Sequence, residues 1–574
     1  MDFPKLDPVR RAAAPLQLDV VESYVNGRIS RREFVKRATL VGLSMGSISA
    51  VIAACSSPAT SAAPTAGATQ GASVAPTAGS SVAPSGPATT GGTIRVAAQR
   101  PKGALDPINM VDLSSYGLVA QSLEFLCTLS TSASDIAPGL AESWQPNDDN
   151  SVWTFKLRQG VTWHDGTPFT ADDVVATMER LVTAGNAGLK GVIGPGSAVA
   201  TDPNTVTFTL VAANGNFPYL VSVFNAQSVI TPKAYATGTT LDQVPAGTGP
   251  WKLTKYDVAT GATFERNDAW WGGKTPLDGT EFTFFDDTGA MVTAYQGGQI
   301  DSLVQFDVLS GTALFDDPNF TVVETPTTNH RQIWMRCDTG SFKDVRVRQA
   351  FALTINRDQL IQQLFKGKAV LGNDHVIAPF YPYFSDTVPQ RVQNIDQAKQ
   401  LLSDAGVSAL NVTLDYGQLN EIPDLAVLLQ SQAAQAGITI TPAGMDNGAF
   451  YGAKWCPEQP ADPPCSGASE FGIVDYGHRP TPDVFLTSAL MTKGAWNSSQ
   501  YSSADFDAAV REFQAAVGVD AQKAACAKIE QILNNDVPVA IPYFYNYLSG
   551  NAKTFQGVYT SALGQQFLSA ASKV

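Results

Sequence analysis

The sequence has few of the residues on which metal, redox and nucleophilic chemistry usually depend. Its 574 residues include only six cysteines and four histidines, and no HExxH, CxxC pair or GxxxxGK[ST] motif occurs. From Gly91 onward there is also no GxSxG. These absences argue against the common zinc, phosphate-binding and serine-hydrolase sites, so we expect neither a metal nor a cofactor. The histidines are scattered at His164, His330, His375 and His478.

Basic residues are outnumbered by acidic ones. The chain has 38 Lys and Arg against 52 Asp and Glu, a formal net charge of −14. This excess of negative charge argues against a nucleic-acid partner. A length of 574 residues with 44% hydrophobic residues indicates a globular chain too long for one core. We therefore expect two or three lobes.

Long apolar runs are also missing, apart from one near the start of the chain. Residues 30–36 read SRREFVK and resemble a twin-arginine export motif, and a moderately apolar run follows from Ala38 to Ala54. The run is too weakly apolar for a stable membrane span, as suits a removable signal. It ends at Cys55, which resembles the lipidated cysteine of a lipobox. Residues 1–54 are thus predicted to be a twin-arginine lipoprotein signal; cleavage after a small residue without lipid is the alternative.

Residues 55–90 are predicted to be a disordered tether that begins with the lipidated cysteine. From Ser56 to Thr90 the chain is almost entirely Ala, Ser, Thr, Pro and Gly, with no charged residue. Such a segment cannot offset the entropy lost on ordering, and its prolines keep it extended. A tether of this kind would let a folded domain sample the space above a membrane.

The stretch from Ile136 to Val182 is the most informative part of the chain. Residues 153–158 alternate between apolar and polar side chains, which predicts a half-buried strand. After an Asp-Gly turn, Thr170 and Asp173 have the spacing of a capping box at the start of a helix. His164 and the aspartate beside it suggest acid–base chemistry, but the turn already accounts for that aspartate.

The amino-acid sequence of this stretch resembles that of a known protein family. LAESW, WTFKLR and DGTPFTADDV are similar to the signature of the large solute-binding proteins of ABC importers, the oligopeptide-, dipeptide- and nickel-binding family. GTGPW at 247–251, NDAWW at 267–271 and FKDVRVRQA at 342–350 extend the resemblance. It covers essentially all of the chain from Gly91, and in the family the opening stretch is scaffold rather than ligand contact.

The resemblance implies an α/β fold, namely a two-lobed periplasmic-binding-protein clamshell with an additional small domain in the N-terminal half. The chain would cross between the lobes near Thr325 and Ala540, which is the expected hinge. By this analogy the parts are lobe I (91–127, 236–325 and 541–574), an accessory domain (128–235) and lobe II (326–540).

Local signals predict further helices and strands. Asp344 and Asn356 have the positions of helix N-caps. Glycines and apolar runs then predict alternating elements in the second half. The expected helices are 116–126, 395–405 and 425–436, and the expected strands are 205–211, 412–414, 438–441 and a proline-interrupted 537–547.

The segment FGIVDY at 471–476 resembles the strand that carries a ligand contact in the family. In its oligopeptide- and dipeptide-binding members, the aspartate of this strand pairs with the α-ammonium group of the ligand. The matching position here is Asp475. An aspartate after an apolar run needs a cationic partner or several donors, because burying it unpaired is costly. The alternative is a structural aspartate satisfied by the loop that follows.

The loop after this strand departs from the family pattern by a short insertion before Val484. Either His478 or Arg479 could meet a ligand carboxylate, although a solvated loop is the simpler interpretation. Aromatic residues near the expected cleft complete the predicted ligand-binding set: Tyr476, Trp496 and Tyr545, with Trp455 as a further possible wall.

The resemblance, together with the export signal, implies an extracytoplasmic solute receptor that is not an enzyme. It would capture a peptide or another amine-bearing solute and deliver it to the transmembrane permease subunits of an ABC importer. We expect a monomer, lipid-anchored to the outer face of the cell membrane or periplasmic. An oligosaccharide, opine or metal chelate is an alternative solute for the same fold. A secreted hydrolase is the alternative from another class, and no catalytic motif supports it.

Cys456 and Cys465 are predicted to form a disulfide across a proline-rich loop. An exported protein meets an oxidising compartment, and this loop has little core of its own to hold it. The other three cysteines of the folded part are an odd number, so at least one stays free unless it pairs between chains. They are Cys127, Cys337 and Cys526.

Replacing Arg31 and Arg32 by Lys is expected to block export, and Cys55→Ala to release the protein into the soluble fraction. Cys55→Ala releases the protein because it removes the multiple acyl chains that hold a lipoprotein firmly in the membrane, where a single chain would bind only marginally. Cell fractionation and immunoblotting measure both effects, with Ser56→Ala as the matched control. A Cys55→Ala protein that stays wholly in the membrane fraction would show that the anchor lies elsewhere.

Overall fold

The computed structural model describes residues 89–130, 135–457 and 463–574. The predicted signal, Cys55 and nearly all of the tether lie outside these residues, so the export and lipidation predictions stay predictions. Within the described ranges, no helix is both long enough and apolar enough to cross a membrane.

Most helices begin where the sequence supplies a capping side chain. As predicted, the side chains of Asp344 and Asn356 each accept a backbone N–H from the first turn of a helix. In the predicted capping box, the Asp173 carboxylate accepts the Thr170 N–H at 2.9 Å. In chain order the helices are α1 (Leu113–Ser122), α2 (Ala171–Thr183), α3 (Phe217–Leu220), α4 (Thr288–Gln296), α5 (Val345–Thr354), α6 (Arg357–Phe365), α7 (Ile395–Asp404), α8 (Ile422–Ala434), α9 (Asn447–Phe450), α10 (Ala504–Ala515) and α11 (Val519–Asp536). Single tighter or wider turns occur at Ala226–Ser228, Thr312–Leu314, Ser341–Lys343, Tyr451–Trp455 and Phe485–Leu490.

The strands of the described residues form two large sheets, one sheet of intermediate size and several two-stranded ladders. The predicted strands at 205–211, 412–414 and 438–441 are all present, the last two being longer than expected. In chain order the strands are β1 (Thr93–Gln99), β2 (Cys127–Leu129), β3 (Ile136–Pro138), β4 (Ala141–Pro146), β5 (Val152–Leu157), β6 (Ala198–Asp202), β7 (Thr205–Thr209), β8 (Trp251–Asp257), β9 (Gly261–Arg266), β10 (Gly279–Phe285), β11 (Ser302–Leu303), β12 (Phe320–Thr325), β13 (His330–Met335), β14 (Ala369–Leu371), β15 (Leu410–Gly417), β16 (Ile438–Met445), β17 (Phe471–Tyr476), β18 (Val539–Ala540), β19 (Tyr543–Tyr545), β20 (Tyr547–Ala552), β21 (Phe555–Gln556), β22 (Tyr559–Thr560), β23 (Gln566–Phe567) and β24 (Ser572–Lys573).

The first large sheet has the strand order β12-β20-β11-β1-β10-β9-β8. β1 runs parallel to both β10 and β11, whereas β8, β9 and β10 form an antiparallel meander. β20 pairs antiparallel with β11 and β12, which brings a strand from near the C-terminus into the sheet. The sheet is therefore assembled from parts of the chain that are far apart in sequence.

The intermediate sheet, β4-β5-β7-β6, carries the most informative stretch of the sequence. Trp153, Phe155 and Leu157 of β5 are buried, as their alternation predicts. Phe155 packs edge-on against Phe208 of β7 with 5.3 Å between the ring centroids, and helix α2 packs on β6. This part of the chain builds core and contributes no ionisable cluster of its own.

His164 and Asp165 have structural roles. The His164 Nε2 atom lies 3.1 Å from the Gly249 carbonyl oxygen, and burial lowers the pKa of His164 to about 4. The Asp165 carboxylate accepts the Thr167 backbone N–H at 2.9 Å, which closes the predicted turn. The turn thus accounts for Asp165, and the contact with Gly249 accounts for His164.

The second large sheet has the order β14-β19-β13-β17-β15-β16, with β18 also pairing with β13. Apolar clusters cover both of its faces: one includes residues of α5, α6, α7 and α8, and the other residues of α10 and α11. Consequently all six residues of β13 are buried, including Arg331. The predicted helix at 425–436 begins earlier, at Ile422, because Pro423 is well tolerated in a first helical turn.

The chain passes between the two large sheets at two places. It goes from β12 to β13 through residues 326–329 and returns from β19 to β20 at Asn546. The sequence predicts the return near Ala540, but Tyr543–Tyr545 still pair with β14 of the second sheet. Pro542 interrupts the predicted strand without ending its sheet, since β18 and β19 both pair with β13.

Cys456 and Cys465 are joined by a disulfide, with 4.5 Å between their Cα atoms. The Cys465 Sγ atom lies 3.1 Å from the Ala495 carbonyl oxygen, so the bridge lies beside the segment that leads to Trp496. The remaining described cysteines are free thiols: Cys127, Cys337 and Cys526.

The double variant Cys456→Ser/Cys465→Ser is expected to unfold with a free energy lower by about 2–3 kcal/mol, because the short closed loop restricts the unfolded chain. Urea unfolding measures the change. Reductant should lower the stability of the wild type by a similar amount and leave the double variant unaffected. A wild type that is indifferent to reductant would contradict the prediction.

Candidate functional site

A buried ion pair lies near the crossings, at the end of β17. β17 runs antiparallel to β13, and the register places Asp475 directly opposite Arg331. Paired residues point to the same face of a sheet, so the two side chains meet and form a salt bridge. The Arg331 side chain is 0% exposed and the Asp475 side chain 26%. The predicted ligand-binding aspartate therefore has a cationic partner within the protein.

Arg331 is shared with a second carboxylate, that of Glu421, which directly precedes α8. Arg331 Nε and Nη2 donate to the two Glu421 oxygens at 2.8 and 3.0 Å, a bidentate arrangement. Tyr543 also donates to Glu421, at 3.2 Å. Burial lowers the pKa of Arg331, but the Asp475 and Glu421 carboxylates outweigh it and raise this pKa well above its ordinary value. The guanidinium remains charged.

Tyr545 completes this group, which we call the Arg331 cluster (Arg331, Glu421, Asp475, Tyr543 and Tyr545). Its hydroxyl lies 2.8 Å from Arg331 Nη1 and donates to Asp475 Oδ1 at 3.2 Å. The guanidinium carbon is 4.5 Å from the centre of the Tyr545 ring, a cation–π contact. Burial raises the pKa of Tyr545, so its hydroxyl stays protonated and available as a donor.

The Arg331 cluster has an excess of negative charge, because one guanidinium faces two carboxylates. Asp475 Oδ1 accepts from Arg331 and Tyr545, whereas no described residue donates to Oδ2. None of these bonds comes from the loop after β17, which was the alternative explanation for this aspartate. The Oδ2 atom of the partly exposed Asp475 carboxylate is thus available to a further donor.

The predicted aromatic residues divide between the two faces of the second sheet. Tyr545 lies with Asp475, whereas Tyr476, the next residue of β17, points to the other face. There Tyr476 stacks on Trp496 at 6.1 Å between centroids and contacts Trp455 edge-on at 6.3 Å. The Tyr476 hydroxyl and the Trp455 Nε1 atom have no hydrogen-bond partner among the described residues. The structure therefore joins Asp475 with Tyr545, and Tyr476 with Trp496.

The loop after β17 is packed rather than solvated, contrary to the simpler expectation. His478 is 1% exposed, its Nδ1 atom accepts the Thr328 N–H at 3.1 Å, and its ring lies 5.6 Å from that of Phe224. Burial, with a contribution from Arg479, lowers the pKa of His478 to about 3, so the ring is neutral. The loop is buried because it fills the space between the second sheet and the segment that carries Phe224.

Arg479 is held by its backbone in the same loop. Its N–H donates to Thr328 Oγ1 at 2.7 Å, and its carbonyl oxygen accepts the Tyr381 hydroxyl at 2.6 Å. Further along the loop, Asn216 Nδ2 donates to the buried Asp483 carboxylate at 3.0 Å. Because Thr328 belongs to a crossing and Asn216 to the N-terminal half, the loop connects the two halves of the described chain.

Sequence reasoning missed Arg331 and Glu421. Arg331 lies in the polar half of β13, between His330 and Gln332, so the sequence pattern gave no sign that this strand would be buried and its arginine would need a partner. Its pairing with Glu421 had no local signal, because the two residues are far apart in sequence. Among the described residues, no group of three or more His, Cys, Asp or Glu side chains could hold a metal ion.

Residues 135–459 match the family model for the middle region of bacterial extracellular solute-binding proteins, family 5. The dipeptide-binding protein of Escherichia coli K12 is 28% identical over 324 residues, which cover 52% of this chain and 59% of that protein. The chain thus spans less than two thirds of this relative. Heme-binding protein A of Haemophilus influenzae is 24% identical over 77% of this chain and 85% of that protein.

The ABC transporter substrate-binding protein CtaP of Listeria monocytogenes has a similar solved structure, with a TM-score of 0.73. The superposition covers 84% of this chain and 100% of CtaP at 21% sequence identity. A likeness at this identity establishes the fold, which is that of the two-lobed periplasmic binding proteins.

Replacing Arg331 by Gln is expected to lower the free energy of unfolding by about 3–5 kcal/mol, because two carboxylates would remain without their buried partner. Urea unfolding measures the change, and Arg511→Gln, at an exposed position of α10, is the matched control. Adding Glu421→Gln to Arg331→Gln should recover part of the loss. An Arg331→Gln protein as stable as the wild type would contradict the role given to the cluster.

Proposed function

The chain belongs to the bacterial extracellular solute-binding proteins of family 5, and from that premise we propose a specific role for it. It captures a peptide or another amine-bearing solute outside the cytoplasm and delivers it to the permease subunits of an ABC importer. Members of this family are binding proteins, so the proposal needs a recognition site and no catalytic group.

The observation that carries the proposal is the charge of the Arg331 cluster. Two carboxylates share one buried guanidinium, and Asp475 Oδ2 has no donor among the described residues. A solute ammonium at Oδ2 would neutralise the excess charge through a charge-assisted hydrogen bond, which is stronger in a cleft shielded from water. The Tyr545 hydroxyl donates to the same carboxylate and would help to orient that carboxylate toward the solute.

The position of the cluster supports capture by closure. Arg331 and Tyr545 lie next to the two places where the chain crosses between the large sheets. The crossings are bonded to each other, since Thr327 Oγ1 donates to the Tyr545 carbonyl at 2.7 Å. A solute that contacts residues on both sides of a hinge favours the closed state. The size of this effect is the free energy of the contacts that form only in the closed state.

The relatives agree with this function in outline. One is named a dipeptide-binding protein, and the Brucella ovis relative, 27% identical over 61% of this chain, a putative ABC transporter peptide-binding protein. We further propose that the receptor acts as a monomer, exported by the twin-arginine route and held at the membrane by lipid on Cys55. The export and the anchoring rest on residues 30–36 and on the apolar run before Cys55.

Heme is the second candidate solute, because the relative named heme-binding protein A aligns with more of this chain than the dipeptide-binding protein does. Mass spectrometry of the solute released from natively purified protein, with its absorption spectrum, separates the two. Amine-bearing peptides in stoichiometric amount support the proposal. A heme absorption band and no peptide would overturn it.

Asp475→Asn is expected to weaken binding of the co-purified solute by roughly two to three decades, because the solute ammonium would be left without its carboxylate. The variant should fold, since Arg331 keeps its bidentate pair with Glu421. Calorimetry on both proteins measures affinity, and Asp505→Asn in α10 is the exposed control. An Asp475→Asn protein that binds like the wild type would show that the carboxylate is structural.

A further inference from the structure

A buried aspartate, Asp483, lies where two parts of the described chain meet. One part is built on the first large sheet, which shares an apolar core with the intermediate sheet, and the other on the second large sheet. Asp483 follows β17 in the second part and accepts a hydrogen bond from Asn216 Nδ2 of the first part at 3.0 Å. Only 6% of Asp483 and 3% of Asn216 is exposed. The contact therefore lies inside the junction, away from bulk water.

Asn216 uses its side chain across the junction and not on its own helix. It occupies the N-cap position of α3, yet its side chain makes no capping hydrogen bond there. By contrast, the N-cap residues Asn356 and Asn394 each accept a backbone N–H from their own helix. Asn216 Oδ1 instead accepts from Gln522 Nε2 of α11 at 2.9 Å. Both ends of this amide thus bond to the second part of the chain.

The segment that carries Asn216 is fixed to its own part. The Asn214 carbonyl oxygen accepts Trp153 Nε1 of β5 at 3.1 Å, and Asn214 Oδ1 accepts the Asn216 N–H at 2.8 Å. From the same segment, the Gly215 N–H reaches across the junction to the Gln514 carbonyl oxygen at 3.4 Å. We call the residues that make the contacts across the junction the junction latch: Gly215, Asn216, Asp483, Gln514 and Gln522.

The burial of Asp483 is costly when its carboxylate is ionised. Asp483 Oδ1 has no hydrogen-bond partner among the described residues. Burial raises the pKa of Asp483, and hydrogen bonds from neutral side chains offset this only in part. The ionised carboxylate is therefore disfavoured here, whereas the protonated form loses less on burial. If the two parts separate, water reaches the carboxylate and this penalty disappears.

The surroundings of Asp483 supply no compensating charge. Three titratable side chains of neighbouring elements interact with it: Tyr381 and Tyr383, after β14, and Cys526 of α11. Burial raises the pKa of each of the three, so they are neutral. Arg479, in the same loop as Asp483, donates to the His478 carbonyl oxygen. Protonation is thus the means by which the buried Asp483 loses its charge.

Periplasmic binding proteins open and close by a hinge motion of their two lobes. We infer that the junction latch makes this closure proton-dependent: a proton on Asp483 favours the closed receptor, and its loss favours opening. A carboxyl group whose pKa is higher in the closed than in the open state takes up a proton on closing, so acidification favours closure. The gain is complete below the ordinary pKa of an aspartate, about 3.9, and is lost as the pH rises through the raised value.

Hydrogen–deuterium exchange of the solute-free, full-length protein tests this inference, because the Gly215 N–H is bonded only while the two parts are joined. Mass spectrometry follows the peptides that contain Gly215 at about pH 7.5 and about pH 4. Variants are compared at one pH, which cancels the intrinsic pH dependence of exchange. At the higher pH, Gly215 should exchange more slowly in Asp483→Asn than in the wild type by roughly tenfold, the equivalent of one pKa unit. At the lower pH the two rates should converge.

Asn216→Asp is the second variant, because it places two carboxylates side by side. At about pH 7.5 Gly215 should exchange faster in it than in the wild type by roughly tenfold, and acid should remove most of this difference. Asp505→Asn, exposed on α10, should match the wild type at both pH values.

Circular dichroism confirms that the variants fold. Equal exchange of Gly215 in the wild type and Asp483→Asn at about pH 7.5 would overturn the inference. If Asp483→Asn fails to fold, Asn216→Asp decides, and a difference from the wild type that acid leaves unchanged would overturn it. Neither result bears on the proposed solute, since none is present in the experiment.

Discussion

The buried guanidinium of Arg331 is the interaction on which the candidate site depends. A fully buried cation is tolerated only if carboxylates and donors surround it with good geometry. This requirement is met by the carboxylates of Asp475 and Glu421 together with the two tyrosines of β19. Their arrangement fixes the orientation of the Asp475 carboxylate and gives the cluster its surplus negative charge. The same contacts tie three strands and a helix into one unit.

The crossings between the large sheets lie beside this charge arrangement. Thr327 and Thr328 each bond to a group that the site needs, the former to the Tyr545 backbone and the latter to the loop that holds His478 and Arg479. The candidate site and the crossings therefore share residues. A solute bound at the proposed site would lie beside the segments that join the two large sheets.

Local sequence signals were sufficient for much of the scaffold. The alternation in β5, the capping box of α2 and the caps at Asp344 and Asn356 depend on residues that are neighbours in the chain, so the sequence could predict them. The disulfide prediction also used local information, namely two cysteines around a short proline-rich loop. The return crossing, placed near Ala540 by analogy with the family, lies several residues later, because Tyr543–Tyr545 still pair with β14 of the second sheet.

What the sequence by itself determined was the class of the protein, its α/β elements and Asp475 as a candidate contact, since family motifs and short-range patterns carry that information. The tertiary structure alone decided what surrounds each polar side chain. Arg331 and Glu421 are ninety positions apart, and their pairing exists because the fold brings the residue that precedes α8 next to β13. Likewise, His478 is buried only because it packs against Phe224 and Thr328. Burial and charge balance arise from contacts between distant segments, which no local pattern records.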